Sequence, residues 1–156
     1  MSWAIPFLLV TLGIAGMGIG TAVAEEKPPS VLEQQYDRET NPRKRAGLAI
    51  ELSKQRLQEL RTAYDAEDPD SREKAVEAYL AALNRLETAV TTAANAGTSK
   101  NAEMHLRRQA RDLENFKTNV SFFDRPAIEK VIARVAALRE QILYSIMNPK
   151  QGKAKK

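Results

Sequence analysis

The chain has 156 residues, 28% of them charged and only 6% aromatic, with a formal net charge of +4 and no cysteine. The length suits one domain, and this composition fits a helical protein with wide solvated faces better than a β-rich one. The missing cysteines exclude disulfides, thiol nucleophiles, thiolate metal sites and a lipid-modified N-terminal cysteine, while the modest positive charge is compatible with an anionic partner without requiring one.

Residues 2–24 carry no charged side chain and are mostly apolar, and Ala22-Val23-Ala24 precedes Glu25-Glu26 in a small-x-small cleavage pattern. Residues 1–24 therefore read as a signal peptide. No Lys or Arg lies near Met1, and the apolar run reaches spanning length, so an uncleaved anchor over residues 3–24 stays open as the alternative. Both readings export the rest of the chain, to the periplasm or beyond. Residues 25–40 read as a charged, proline-containing linker with a short helix from Val31 to about Arg38.

Asn41-Pro42 opens the main helix, since Asn is a good N-cap and Pro suits the first helical position. Ala46, Ile50, Leu57, Leu60 and Tyr64 recur at spacings of three, four or seven and form one stripe. Leu48 and Leu52 make a second, smaller apolar patch. Pro69 breaks the chain, and Asp70 with Glu73 predicts a capping box for a second helix running to about Ala96. Val76, Tyr79, Leu80, Leu83, Leu86, Val90 and Ala93 are its apolar face, and Gly97 is expected to supply a left-handed stop. Ser99 is expected to cap a third helix, from about Lys100 to Val120, whose weaker stripe is Leu106, Ala110, Leu113, Phe116 and Val120. The run Ser121-Phe122-Phe123-Asp124-Arg125-Pro126 breaks that helix. A fourth carries Ile128, Val131, Ile132, Val135, Leu138, Ile142 and Ile146 and stops at Asn148-Pro149. The expected architecture is all-α: a bundle of four main helices over residues 41–149, its first two an antiparallel hairpin, followed by a basic tail over residues 150–156.

Chemistry-bearing motifs are scarce. His105 is the only histidine, and no second ligand stands at His-x-x-Glu or His-x-x-x-His spacing, so it reads as a surface histidine and no metal or cofactor is expected. Glu73 and Glu77 share a helix face flanked by Arg72 and Lys74 and read as solvated. Beyond the N-terminal segment the glycines are Gly47, Gly97 and Gly152, too few for a phosphate-cradling loop. Tyr36, Tyr64, Tyr79 and Tyr144 read as core edges.

Two basic clusters remain as candidate anion sites. Arg43, Lys44 and Arg45 occupy a first helical turn, where cations oppose the macrodipole. Asp37 and Glu39 just upstream offer local compensation, and an anion held by helix-end amides and basic side chains is the alternative. Arg107, Arg108 and Arg111 form the second cluster, with Glu103–Arg107 and Arg108–Asp112 pairs expected at i,i+4. The second cluster is not interleaved with the aromatics that nucleic-acid binding would want, and no nucleic-acid partner is expected.

The run Tyr36-Asp37-Arg38-Glu39-Thr40-Asn41-Pro42-Arg43-Lys44-Arg45-Ala46, with the closing Ile146-Met147-Asn148-Pro149, resembles a group of uncharacterised exported helical proteins of bacteria. That resemblance implies an exported all-helical chain and brings no known activity. The first pair of long helices is also similar in outline to a tetratricopeptide unit, without its tryptophan–leucine–glycine signature or a second copy. Together these readings lead to a non-enzymatic envelope protein that binds or scaffolds a protein partner through helix faces. The alternative is binding of an anionic envelope polymer or lipid headgroups through the basic clusters, with the membrane itself a partner only if the N-terminal segment is uncleaved.

Overall fold

The computed structural model describes residues 30–66 and 68–148. The expected signal peptide, most of the linker, Pro149 and the basic tail lie outside the described residues. Among those described there is no strand. Five helices follow one another: α1 (Val31–Arg38), α2 (Pro42–Asp65), α3 (Pro69–Ala93), α4 (Ala96–Asn119) and α5 (Arg125–Met147).

Helix α1 starts with a reciprocal capping box. Ser30 Oγ accepts the Glu33 N–H, and the Glu33 carboxylate accepts the Ser30 N–H at 2.9 Å. Asn41 caps α2 as the sequence predicts, its Oδ1 accepting the N–H groups of Arg43 and Lys44 at 3.0 and 3.2 Å, with Pro42 in the first turn.

The next two helix starts differ from the sequence reading. Asp68, not Asp70, is the N-cap of α3, and its carboxylate accepts the Asp70 N–H at 3.1 Å. Pro69 has a fixed φ and no N–H to satisfy, which suits it to the first helical position and moves the cap one residue before it. Helix α3 then ends at Ala93. The left-handed residue is Ala94, at φ 44°, and Gly97 is already inside α4. Asn95 caps α4 by accepting the Thr98 N–H at 3.1 Å, so the helix starts four residues before Lys100. Ser99, predicted as a cap, is a buried helical residue. The link between α3 and α4 is thus only residues 94 and 95, and its reversal is concentrated in one alanine that must adopt a disfavoured conformation.

The stripes converge on one core. Ile50, Leu57 and Leu60 of α2, Tyr79, Leu83 and Leu86 of α3, Leu106 and Leu113 of α4, and Val131, Val135 and Leu138 of α5 are all buried in it. Leu52, assigned to the smaller patch, is also fully buried, while Leu48 is only partly covered. Tyr79 has no exposed surface and lies inside the core rather than at its edge; Tyr144 is 58% exposed. Helix α2 packs chiefly on α3 and α4 chiefly on α5, and contacts of α2 with α4 and of α3 with α5 join the two pairs. Helix α1 lies on α2.

Candidate functional site

Glu103 is the pivot of the most concentrated group of charges. It lies on α4 at a position in phase with the apolar stripe, three residues before Leu106 and seven before Ala110, and is 5% exposed. Its two oxygens accept from Arg107 Nε and Nη2 at 3.2 and 2.6 Å, and Oε1 also accepts from Arg139 Nε of α5 at 2.8 Å. The hydrogen bond from Arg107, and then that from Arg139, hold this carboxyl below the ordinary value of 4.5 despite its burial. The expected Glu103–Arg107 pair is therefore present, but as a buried carboxylate held by two helices rather than as part of a solvated face.

Above this pair lies an open groove of about 490 Å³, lined by Arg107, Ala110, Arg111, Glu114, Asn115 and Arg139. Residues 107, 110, 111, 114 and 115 recur at three and four and so share one face of α4. Ala110 keeps the floor low. Of the predicted basic cluster, Arg107 and Arg111 enter the groove and Arg108 does not; its Nη2 contacts the Met104 sulfur at 3.9 Å. The expected Arg108–Asp112 ion pair does not form. Arg139 was not among the predicted residues. Its signal was its phase, four residues after Val135 and three before Ile142, which places a cation on an otherwise apolar stripe.

The other predicted cluster is arranged differently. The first-turn amides of Arg43 and Lys44 are occupied by Asn41. Glu39 does not form an ion pair with the cluster; its Oε1 accepts the Asn41 N–H at 2.8 Å and so organises the cap. Arg45 lies 4.5 Å over the ring of Tyr36, with its Nε buried and lacking a hydrogen-bond partner. Arg85 lies against the same ring at 5.7 Å, and its carbonyl accepts the Tyr36 O–H. Arg43 and Lys44 remain exposed to solvent.

Glu33 fastens α1 to the body. Beyond its cap bond it meets Arg56 Nη2 of α2 and Arg85 Nη1 of α3, each at 2.7 Å. Burial alone would raise its pKa, but the Ser30 amide, Arg56 and Arg85 together lower it.

His105 is half-buried rather than freely exposed. Burial first, then the cations Lys54 and Arg108, hold it below its ordinary value of 6.5 and favour the neutral ring. Glu73 and Glu77 are exposed, in agreement with a solvated face. Among the described residues no three His, Asp or Glu side chains come together as a metal site, and no helix is long and apolar enough to cross a membrane.

The link between α4 and α5 carries the largest exposed apolar side chains. Phe122 is 75% and Phe123 91% exposed, and the two rings meet edge to face with centroids 6.1 Å apart. Beneath them the chain is pinned. Asp124 accepts from Ser121 Oγ at 2.7 Å and from Arg72 Nη1 of α3 at 3.2 Å, and Arg72 also donates to the Ala66 carbonyl at 2.9 Å. Asp124, the residue before α5, makes no side-chain cap bond to it: its backbone is helical, at φ −87° and ψ −19°, instead of extended, and Pro126 in the first turn has no N–H to offer. Tyr64, Asp65, Arg72, Phe116 and Asp124 line a recess of about 260 Å³ beside this link.

Compared with protein families, with curated proteins and with solved structures, the chain matches none.

Proposed function

We propose that this protein is a non-enzymatic, exported helical module that binds a protein partner, and that the Phe122–Phe123 pair is its principal contact. In this reading residues 1–24 are a cleaved signal peptide, and the four long helices form a bundle with α2 and α3 antiparallel. The short connection at residues 66–68 supports that arrangement, as does the stacking of Arg72 on the Tyr64 ring across it at 5.4 Å.

The observation that carries the reading is the exposure of two adjacent aromatic rings on a link braced from two sides. Isolated exposed apolar residues are ordinary. A paired aromatic prong on a braced link offers a large apolar area whose backbone is already held in place, which lowers the ordering cost an interface anchor must meet. Asp65, Asp124 and Arg72 line the recess beside it, with Arg72 paired to Asp124, so this lining carries no excess of cations of the kind that would favour an anionic lipid surface.

The test is affinity capture from envelope fractions with the wild type and with Phe122→Ser/Phe123→Ser. Both rings are outside the core, so the variant should keep its thermal midpoint and lose a partner that survives high-salt washing. Recovery of the same proteins by both baits would sink the reading. Intact mass of the native protein tests export with cleavage after Ala24; retention of residues 1–24 in a membrane fraction would select the anchor instead.

A second reading, binding of an anionic envelope polymer or lipid headgroups, is supported by the groove between α4 and α5, where cations outnumber carboxylates.

A further inference from the structure

We propose that the groove between α4 and α5 binds a phosphate monoester dianion, held by Arg107, Arg111 and Arg139, with Glu103 as the residue that positions two of the three guanidinium groups. This deepens the anion-binding reading and is independent of the Phe122–Phe123 contact.

Arg107 uses its Nε and Nη2 on Glu103, and Arg139 uses its Nε. Among the described residues, Arg107 Nη1 and both terminal nitrogens of Arg139 make no hydrogen bond to the protein, and Arg111 forms no ion pair. Both Arg107 and Arg139 are partly exposed, with side chains 50% and 36% accessible. Their inner edges are fixed on a buried carboxylate while their outer N–H groups border the groove. Arginine offers its donors in a planar fork matched to phosphate oxygens. Fixing the fork in advance removes much of the side-chain entropy that binding would otherwise cost.

Charge decides the ligand class. Glu103 neutralises part of the Arg107–Arg139 pair, and Glu114 is engaged by Lys117 at 3.0 Å. Three guanidinium groups line the groove; Glu103 offsets one of them and Lys117, outside the lining, offsets Glu114, leaving an excess that suits a dianion. A phosphate monoester carries about that charge near neutral pH and has three terminal oxygens for three guanidinium groups. The groove is open, so the rest of the ligand can extend into solvent. A soluble phosphomonoester and a phosphatidic acid headgroup share this chemistry.

Glu103 makes the proposal distinguishable from general attraction to a basic surface. If only net charge mattered, Glu103→Gln would strengthen binding, because it removes a negative charge. If Glu103 positions the arginines, the same change weakens binding.

The experiment titrates the full-length protein with inorganic phosphate, following the arginine Nε–H signals by NMR at low ionic strength. A parallel arm measures retention on phosphatidylcholine vesicles with and without phosphatidic acid. Arg111→Gln and Arg139→Gln should each weaken binding about tenfold, the equivalent of one charge-assisted hydrogen bond. Arg108→Gln, which removes the same charge outside the groove, should change it less than about twofold. Glu103→Gln should weaken it. Phosphate binding with this pattern establishes a soluble-ligand site; the same pattern on vesicles alone assigns the site to a lipid headgroup. Absence of binding in both arms overturns the proposal. So does an equal loss in Arg108→Gln and Arg111→Gln. Arg111 is exposed and its replacement should leave the fold intact, so the outcome does not depend on whether Glu103→Gln remains stable.

Discussion

Gln109 of α4 donates its Nε2 hydrogen to Ser53 Oγ of α2 across 2.9 Å of the protein interior. The other end of the same amide, Oε1, accepts the Tyr79 O–H of α3 at 2.8 Å, and the Ser53 hydroxyl donates to the Ile50 carbonyl at 2.8 Å. Three helices are thus joined by a chain of side-chain hydrogen bonds whose members are at most 3% exposed.

A buried polar chain specifies geometry because leaving one member unpaired costs more than the bond contributes when formed. Gln109→Leu strands the Tyr79 hydroxyl and should destabilise the protein by ~1–3 kcal/mol. Tyr79→Phe in the same background removes the stranded group. The double variant should therefore lose less than the sum of the two single changes. Strict additivity in urea denaturation would show that the chain does not act as a unit.

Acid should unfold the protein through its held carboxylates. Glu33, Glu87 and Glu103 are all lowered below the ordinary value of 4.5. A folded pKa below the unfolded one contributes stability that is fully present above about pH 4.5 and is lost as pH falls through the folded value. The thermal midpoint should thus fall as pH drops below that point. Glu33→Gln and Glu103→Gln should each be less stable than wild type at pH 7, and the gap should narrow in acid. Curves that stay parallel from neutral to acid pH would show that these carboxylates are not the source.

Ala94 is exposed and sits at φ 44°, ψ 40°. Left-handed geometry costs an L-residue ~1–2 kcal/mol, and glycine is free of that cost but loses more chain entropy on folding. Ala94→Gly should accordingly raise stability by ~0.5–1 kcal/mol, seen as a higher urea midpoint with an unchanged slope. A lower midpoint would mean that the alanine methyl is making a favourable contact.

Leu57 and Leu138 are buried on α2 and α5, and Gln58 is exposed beside the first of them. Truncation of either leucine to alanine should cost ~2–5 kcal/mol. Gln58→Ala should stay within about ±0.5 kcal/mol. Similar denaturation midpoints for the three variants would contradict this assignment of the core.

Much of the secondary structure was legible in the sequence because it depends on local rules. A 3.6-residue period marks a buried stripe wherever it lies, so Ile50, Leu83, Leu113 and Leu138 could be placed on interior faces from spacing alone. Asn41-Pro42 likewise identifies a helix start by itself, since both its hydrogen bonding and its φ restriction are local. Where two local signals competed, packing and geometry decided: Asp68 caps α3 because Pro69 occupies the first turn, and Ala94 makes the turn that Gly97 was expected to make.

What only the tertiary structure decided concerns polar residues that lie in phase with apolar stripes. Ser53 falls three after Ile50, Gln109 three after Leu106, and Glu103 three before Leu106. Periodicity marks each of them as interior but supplies no partner. Their partners stand 56 residues away for the Ser53–Gln109 bond and 36 for Glu103–Arg139, and such pairs are set by how helices dock. The same docking decides which face of α4 becomes the groove, so that Arg107 and Arg111 line it and Arg108 does not, and brings in Arg139 from another helix. A helix fixes which side chains share its face, whereas the charge and hydrogen-bonding partners of that face depend on what packs against it.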